Sequence, residues 1–153
     1  MKRNFFKTVA AIFTVATMTF AVSCDKNDDD NDNNQQSQTN DTSLVGTNWA
    51  SHDEGENELE SGIMAHYVAD GRISFETANS GSFSISMEYE EYPEENMNYE
   101  LPITYTYKAP NGTITVSMMG FTRNMTFVVS GDQMTLTSTY DGETETSIFT
   151  KQS

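Results

Sequence analysis

Five of the seven tyrosines, Tyr89, Tyr92, Tyr99, Tyr105 and Tyr107, fall between positions 89 and 107, interleaved with Glu88, Glu90, Glu91, Glu94, Glu95 and Glu100. A phenol ring offers an apolar face for stacking and a hydroxyl that seeks a partner when buried, and a neighbouring carboxylate supplies an acceptor. That mixture suits a glycan or a small polar-aromatic ligand. The five tyrosines are therefore the candidate ligand contacts, with Tyr92 and Tyr99, on the connection itself, the first to test. The same residues also fit a plainer reading, in which tyrosines fill strand positions of a core and glutamates solvate a loop.

Other chemistry finds less footing. His52 and His66 stand 14 residues apart without a cysteine partner, so zinc-ligand spacing is absent. The acidic run "DDDND" lacks the glycine and the distant glutamate of a calcium loop. No Gly-x-Ser-x-Gly elbow, phosphate-binding glycine loop or dinucleotide fingerprint occurs. Paired carboxylates of the kind glycosidases use are plentiful, but in glutamate-rich connections solvated charge is the ordinary reading. The expectation is a non-enzyme with no metal and no cofactor.

The elements that must position these residues read as strands. "SFSISMEYE" sets Phe83, Ile85, Met87 and Tyr89 on one face and serines and glutamates on the other, the period of a half-buried strand. The pattern recurs around Tyr105 and Tyr107, Ile114 and Val116, Met125 and Phe127, and Met134 and Leu136. Weaker candidates are 45–50, 63–68, 73–77 and 144–150. Turn dipeptides separate them at Asp70-Gly71, Ser80-Gly81, Asn111-Gly112, Gly131-Asp132 and Asp141-Gly142. Longer connections are expected at 51–61, with five carboxylates, and at 91–101. The fold class is all-β, an antiparallel up-and-down meander of eight or nine strands, best closed as a barrel because closure removes exposed edges.

Ahead of this domain, Lys2, Arg3 and Lys7 precede an apolar stretch from Thr8 to Val22, too short to cross a bilayer and suited to a signal peptide over 1–23. Ala21 and Ser23 lead to Cys24, the only cysteine. This boundary resembles a bacterial lipobox, with Ala21 in place of the usual leucine. The resemblance implies that Cys24 carries lipid and becomes the new N-terminus, the membrane being a partner through that lipid. A lone thiol has no internal disulfide partner, and several acyl chains anchor where one is marginal. Residues 24–42 then form an acidic tether without apolar residues to bury, expected to be disordered and to span roughly 25 Å. "CDKNDDDND" resembles the acidic signal that sends some lipoproteins to the outer face of the outer membrane. Asp25 directly after the cysteine resembles the inner-membrane retention rule instead. The length of the acidic run favours a lipid-anchored protein of the outer membrane, exposed at the cell surface.

Charge narrows the partners. The formal net charge is −15, and loss of Lys2, Arg3 and Lys7 with the leader takes it to −18. Such a surface repels phosphate backbones, so nucleic acid is not expected as a partner. The sequence assigns no oligomeric state.

"SLVGTNWAS", "ADGRISF" and "VVSGDQMTLTSTYDGETETSIFTKQ" resemble the small lipocalin-like domains of bacterial surface lipoproteins, over residues 43–153. Lipocalins carry Gly-x-Trp at the base of the barrel; here Gly46 and Trp49 are separated by two residues. The resemblance implies a calycin-type barrel which, in some members, holds a small ligand, here of apolar or glycan character. The alternative is a filled barrel acting as a surface interaction or structural protein.

Overall fold

The computed structural model describes residues 40–59, 61–118, 121–140 and 142–153. The signal peptide, Cys24 and nearly all of the acidic tether lie outside them. Eight strands run in chain order: β1 Thr47–Glu58, β2 Met64–Phe75, β3 Ser80–Tyr89, β4 Met97–Lys108, β5 Asn111–Met118, β6 Phe121–Ser130, β7 Gln133–Tyr140 and β8 Glu143–Gln152. Each pairs antiparallel with the next, and β1 pairs with β8, so the meander closes into a barrel. The only helical pieces among the described residues are single 3-10 turns at Thr42–Leu44 and Pro93–Glu95.

The two ends of the barrel differ. At the end that carries the β2–β3, β4–β5 and β6–β7 turns, the N-terminal segment crosses the opening. The Asp41 carboxylate caps the first 3-10 turn by accepting from the Ser43 N–H at 2.9 Å. The Asp41 N–H donates to the Tyr107 carbonyl, and Asn40 Nδ2 donates to the carbonyls of Ala78 and Tyr105. Leu44, only 4% exposed, is thereby pressed into the core. Trp49, Ile73, Phe75, Phe127, Leu136 and Phe149 fill this base. Phe75 meets Tyr105 edge-on at 4.6 Å, a favoured quadrupole geometry.

The opposite end is looser because two ladders stop short of it. β1 pairs with β8 only from Asn48 opposite Gln152 to Ala50 opposite Thr150. β4 pairs with β5 only from Lys108 opposite Asn111 to Ile103 opposite Val116. Pro102 accounts for the second stop. The Tyr105 N–H donates to Asn79 on the β3 side, so odd residues of β4 aim their N–H groups at β3 and even residues at β5. At Pro102 the donor that β5 would need next is missing. Beyond the first stop the β1 edge carries Glu54, Glu56 and Glu58 on its outward phase, and charged side chains along an edge discourage pairing. Hydrogen-bonded closure thus sits at the plugged base.

Three expected turn dipeptides are strand residues. Asp70-Gly71 lies inside β2, while Ser80-Gly81 and Asn111-Gly112 open β3 and β5 directly after the turns. Their glycines answer to close approach: a Cβ on Gly71 would lie 2.6 Å from Ser51 Oγ and 3.2 Å from the Phe149 ring, and one on Gly81 would strike the Ser74 carbonyl. The segments 63–68 and 73–77 accordingly merge into one strand, which settles the count at eight. The carboxylate-rich stretch expected as a loop is mostly β1, with Glu54, Glu56 and Glu58 on its exposed phase. Gly131, with φ of 62°, does sit in a turn.

Candidate functional site

The barrel interior changes character along its axis. Below, it is aromatic and aliphatic; above, polar side chains enter the inward phase. Ser51 and Asp53 follow Trp49 on β1, Ser138 follows Leu136 on β7, and Ser147 and Glu145 precede Phe149 on β8. Arg123 stands in the inward phase of β6, level with Val116. Ser51, Ser138, Ser147 and Glu145 are all buried, Glu145 to 5% exposure, the one buried carboxylate among the described residues. Burying such groups costs stability that an aliphatic core would not forfeit. Ser138 is directly opposite Glu145 in the β7–β8 ladder, so hydroxyl and carboxylate stand side by side.

Across the other half of the barrel the strands place these residues in rows. One row runs Ser51, Gly71, Ile85, Tyr99, and the next Asp53, Ala69, Met87, Met97. Gly71 lets the Ser51 hydroxyl and the Phe149 ring lie against its backbone. Ser51 Oγ is buried and makes no hydrogen bond to the described residues, an exception to the rule that buried hydroxyls are paired. It lies where the aromatic base gives way to the polar half, next after Trp49 in the inward phase of β1. Above it, Tyr67 Oη donates to Asp53 Oδ2 at 3.0 Å and Asn57 Nδ2 donates to Tyr89 Oη at 3.1 Å. The Tyr67 and Tyr89 rings meet edge-on at 6.4 Å. Asn96 fixes the connection overhead by accepting from the Tyr89 N–H at 2.7 Å.

The five candidate tyrosines are divided between the two ends. Tyr89, Tyr92 and Tyr99 belong to the open end; Tyr89 is buried, Tyr92 and Tyr99 half-buried. Tyr105 and Tyr107 are at the base, six and eight residues along β4 from Tyr99, about 20 and 26 Å. Tyr105 Oη donates to the Thr77 carbonyl at 2.6 Å, and Tyr107 stacks on Phe127. Desolvation pushes the pKa of both phenols up, with Asp41 adding to the effect on Tyr107. These two are core residues of the plug, so a single hairpin site holding all five does not form. Met87 Sδ also accepts from Tyr89 Oη at 3.1 Å, which shows that Tyr89 finds its partners inside the barrel.

No protein-family model, curated protein or solved structure matches the chain. The site's polar side chains were missed in the sequence although a signal existed: Ser138 shares the phase of Met134 and Leu136, and Ser147 and Glu145 share that of Phe149. Polar residues in the apolar phase of a strand mark a polar interior.

His52 lies outside this site. On the barrel's outer wall its Nδ1 is 2.9 Å from Asp70 Oδ1, and this hydrogen bond, then the Asp70 charge, hold the imidazole pKa above its ordinary value. A raised folded-state pKa stabilises while the ring is protonated in both states, and that contribution is lost as pH rises through the folded value. An NMR titration of the His52 ring should show a midpoint above about 6.5. Asp70→Asn should lower that midpoint; an unchanged midpoint would show that the contact is not maintained in solution.

Proposed function

We propose that this chain is a lipid-anchored extracytoplasmic lipoprotein of the outer membrane whose lipocalin-like barrel binds a small hydroxylated, glycan-like ligand in its open polar half. The observation that carries the reading is the buried, unpartnered Ser51 hydroxyl where the aromatic base gives way to an interior ringed by Asp53, Ser138, Ser147 and Glu145. Tyr67, Tyr89 and Tyr99 supply ring faces above it. Hydroxyls and carboxylates around aromatic faces bind sugars better than alkyl chains, since a buried polar wall would be left unpaired against an apolar ligand. Trp49, 1% exposed in the base and preceded by Gly46 with φ of 78°, supports the lipocalin likeness. The filled aromatic base favours the second reading, a packed barrel used only as an interaction surface.

Orientation supports ligand access. The chain enters the described region at the plugged base, so a tether from Cys24 would join the barrel at the end away from the mouth and leave the mouth unobstructed. Cys24→Ala should lose acyl labelling and leave the membrane fraction; a variant that stays membrane-bound would refute the anchor. Protease shaving of intact cells should remove the barrel if it is outside, whereas digestion only after lysis would place it on the periplasmic face.

Ligand binding is tested on an array of neutral and amino-sugar glycans and polar metabolites. Hits should weaken at least about tenfold with Tyr99→Ala or Ser51→Val, the latter leaving ligand hydroxyls unpaired. Tyr105→Phe at the base should leave them unchanged. An array without hits, or hits indifferent to Ser51 and Tyr99, would hand the protein to the packed-barrel reading.

A further inference from the structure

Charge is distributed unevenly around the outer wall. Along β5 to β8 the acidic and basic side chains of the described residues, Arg123, Glu143, Glu145 and Lys151, all stand in the phase of the inward residues. The outward positions of these four strands carry only threonine, serine, asparagine, glutamine, Val128 and Ile148. The rest of the wall is charged and mainly acidic: Glu54, Glu56 and Glu58 on β1, Asp70 on β2, Glu88 on β3, Glu90, Glu91, Glu94 and Glu95 on the connection to β4, and Glu100 on β4, against the two cations Arg72 on β2 and Lys108 on β4. In a chain of net charge −15, this neutral face is a distinct feature.

The face is also ordered. Thr106, Thr113, Thr126, Thr137 and Thr146 are direct neighbours in successive ladders, so one rank of threonines crosses five strands from β4 to β8. Neighbours in it stand about 4.8 Å apart, each presenting a methyl and a hydroxyl. The adjacent row sets Val128 and Ile148, 45% and 55% exposed, on either side of Thr135. β-propensity alone explains threonine at single exposed sites. It does not explain why charge is excluded from all four strands at once.

We infer that this face docks a second copy of the same chain. Two molecules this acidic oppose carboxylates wherever else their walls meet, and like-charge contacts are costly. Only the neutral sheet lets them approach without that cost. Two such sheets pack face to face at about 10 Å, the threonine methyls and the Val128 and Ile148 side chains interleaving while hydroxyls exchange hydrogen bonds. On the convex wall of a closed barrel about three of these strands, each of about 26 Å, can meet the partner at once, roughly 370 Å² per copy, in the range of weak interfaces. The dimer is accordingly weak and symmetric, the same patch serving both copies. It does not depend on what the barrel mouth binds.

The test is sedimentation equilibrium on the chain lacking residues 1–23 and carrying Cys24→Ser, which leaves every described residue in place. A monomer–dimer equilibrium should appear, and it should tighten as NaCl rises from about 50 to 500 mM, because salt screens the repulsion between the acidic remainders. An interface made of ion pairs would weaken instead. Thr126→Glu with Thr137→Glu should raise Kd at least about a hundredfold. Val128→Ser with Ile148→Ser, which adds no charge, should raise it about tenfold. Ser84→Glu on the outer face of β3 should change nothing. A chain that stays monomeric up to about 1 mM at every salt concentration, or a dimer indifferent to both paired substitutions, overturns the assignment. So does retention of a strictly monomeric chain on a neutral polysaccharide through Thr126 and Thr137, which would give the face to that partner.

Discussion

Phe83→Asp is expected to leave the barrel unfolded at 25 °C, while Ser84→Asp, one residue along, should move its urea midpoint by no more than about 0.5 kcal/mol in stability. Phe83 is 3% exposed, opposite Ile73 and Leu101, with its ring 6.5 Å from that of Phe149. Removing a buried phenyl costs about 3–5 kcal/mol, and burying an unpaired carboxylate costs several more. A domain of this size holds about 5–15 kcal/mol in all. Ser84 lies in the outward phase between Arg72 and Glu100, so a carboxylate there gains one attraction and meets one repulsion in water. Far-UV circular dichroism and urea titration of both variants decide the matter. A folded Phe83→Asp, or a Ser84→Asp that unfolds, would mean that the phase of β3 is reversed, since a one-residue slip exchanges the two faces.

How much of this was legible depended on what each residue's neighbours were. The alternation of Phe83, Ile85, Met87 and Tyr89, or of Met125 and Phe127, is a local pattern, and it gave the all-β meander directly. Glycine was misleading because its two uses look alike in one dimension. Gly131 turns the chain, while Gly71 and Gly112 make room for side chains supplied by other strands, Ser51 and Phe149 in one case and Phe127 in the other. Carboxylate density likewise suggested a loop at 51–61, although Glu54, Glu56 and Glu58 keep a strand's period. The tyrosines were grouped by sequence proximity. β4 is 12 residues long, and a strand of that length carries Tyr99 and Tyr107 to opposite ends of a barrel. The polar interior was hidden for the converse reason: Ser138 and Ser147 belong to the β7–β8 hairpin, Ser51 comes from β1 at the other end of the domain, and the three share one interior only when β1 closes on β8.

The stack at the base supplies the sharpest energetic contrast. Tyr107, Gly112 and Phe127 occupy one row across β4, β5 and β6, and the two rings reach across the glycine to stack nearly parallel at 12° with centroids 5.7 Å apart. A Cβ on Gly112 would run into the Phe127 ring. Phe127 also lies 5.8 Å from Phe75 and is 1% exposed, so Phe127→Ala should cost about 3–5 kcal/mol. Gly112→Val should also destabilise, by about 1–3 kcal/mol or more, because the ring must leave its rotamer in a close-packed base. The two should not add. Once Phe127 is alanine, the space over β5 is open, and valine at 112 brings both volume and a strand preference worth up to about 1 kcal/mol. In the Phe127→Ala background, Gly112→Val should therefore be neutral or stabilising, a reversal of sign and a coupling above about 1 kcal/mol. Urea midpoints of the four proteins in the cycle measure it. Simple additivity would show that the ring does not lie over Gly112, and with it would fall the packing that fills the base and confines polar side chains to the other half of the barrel.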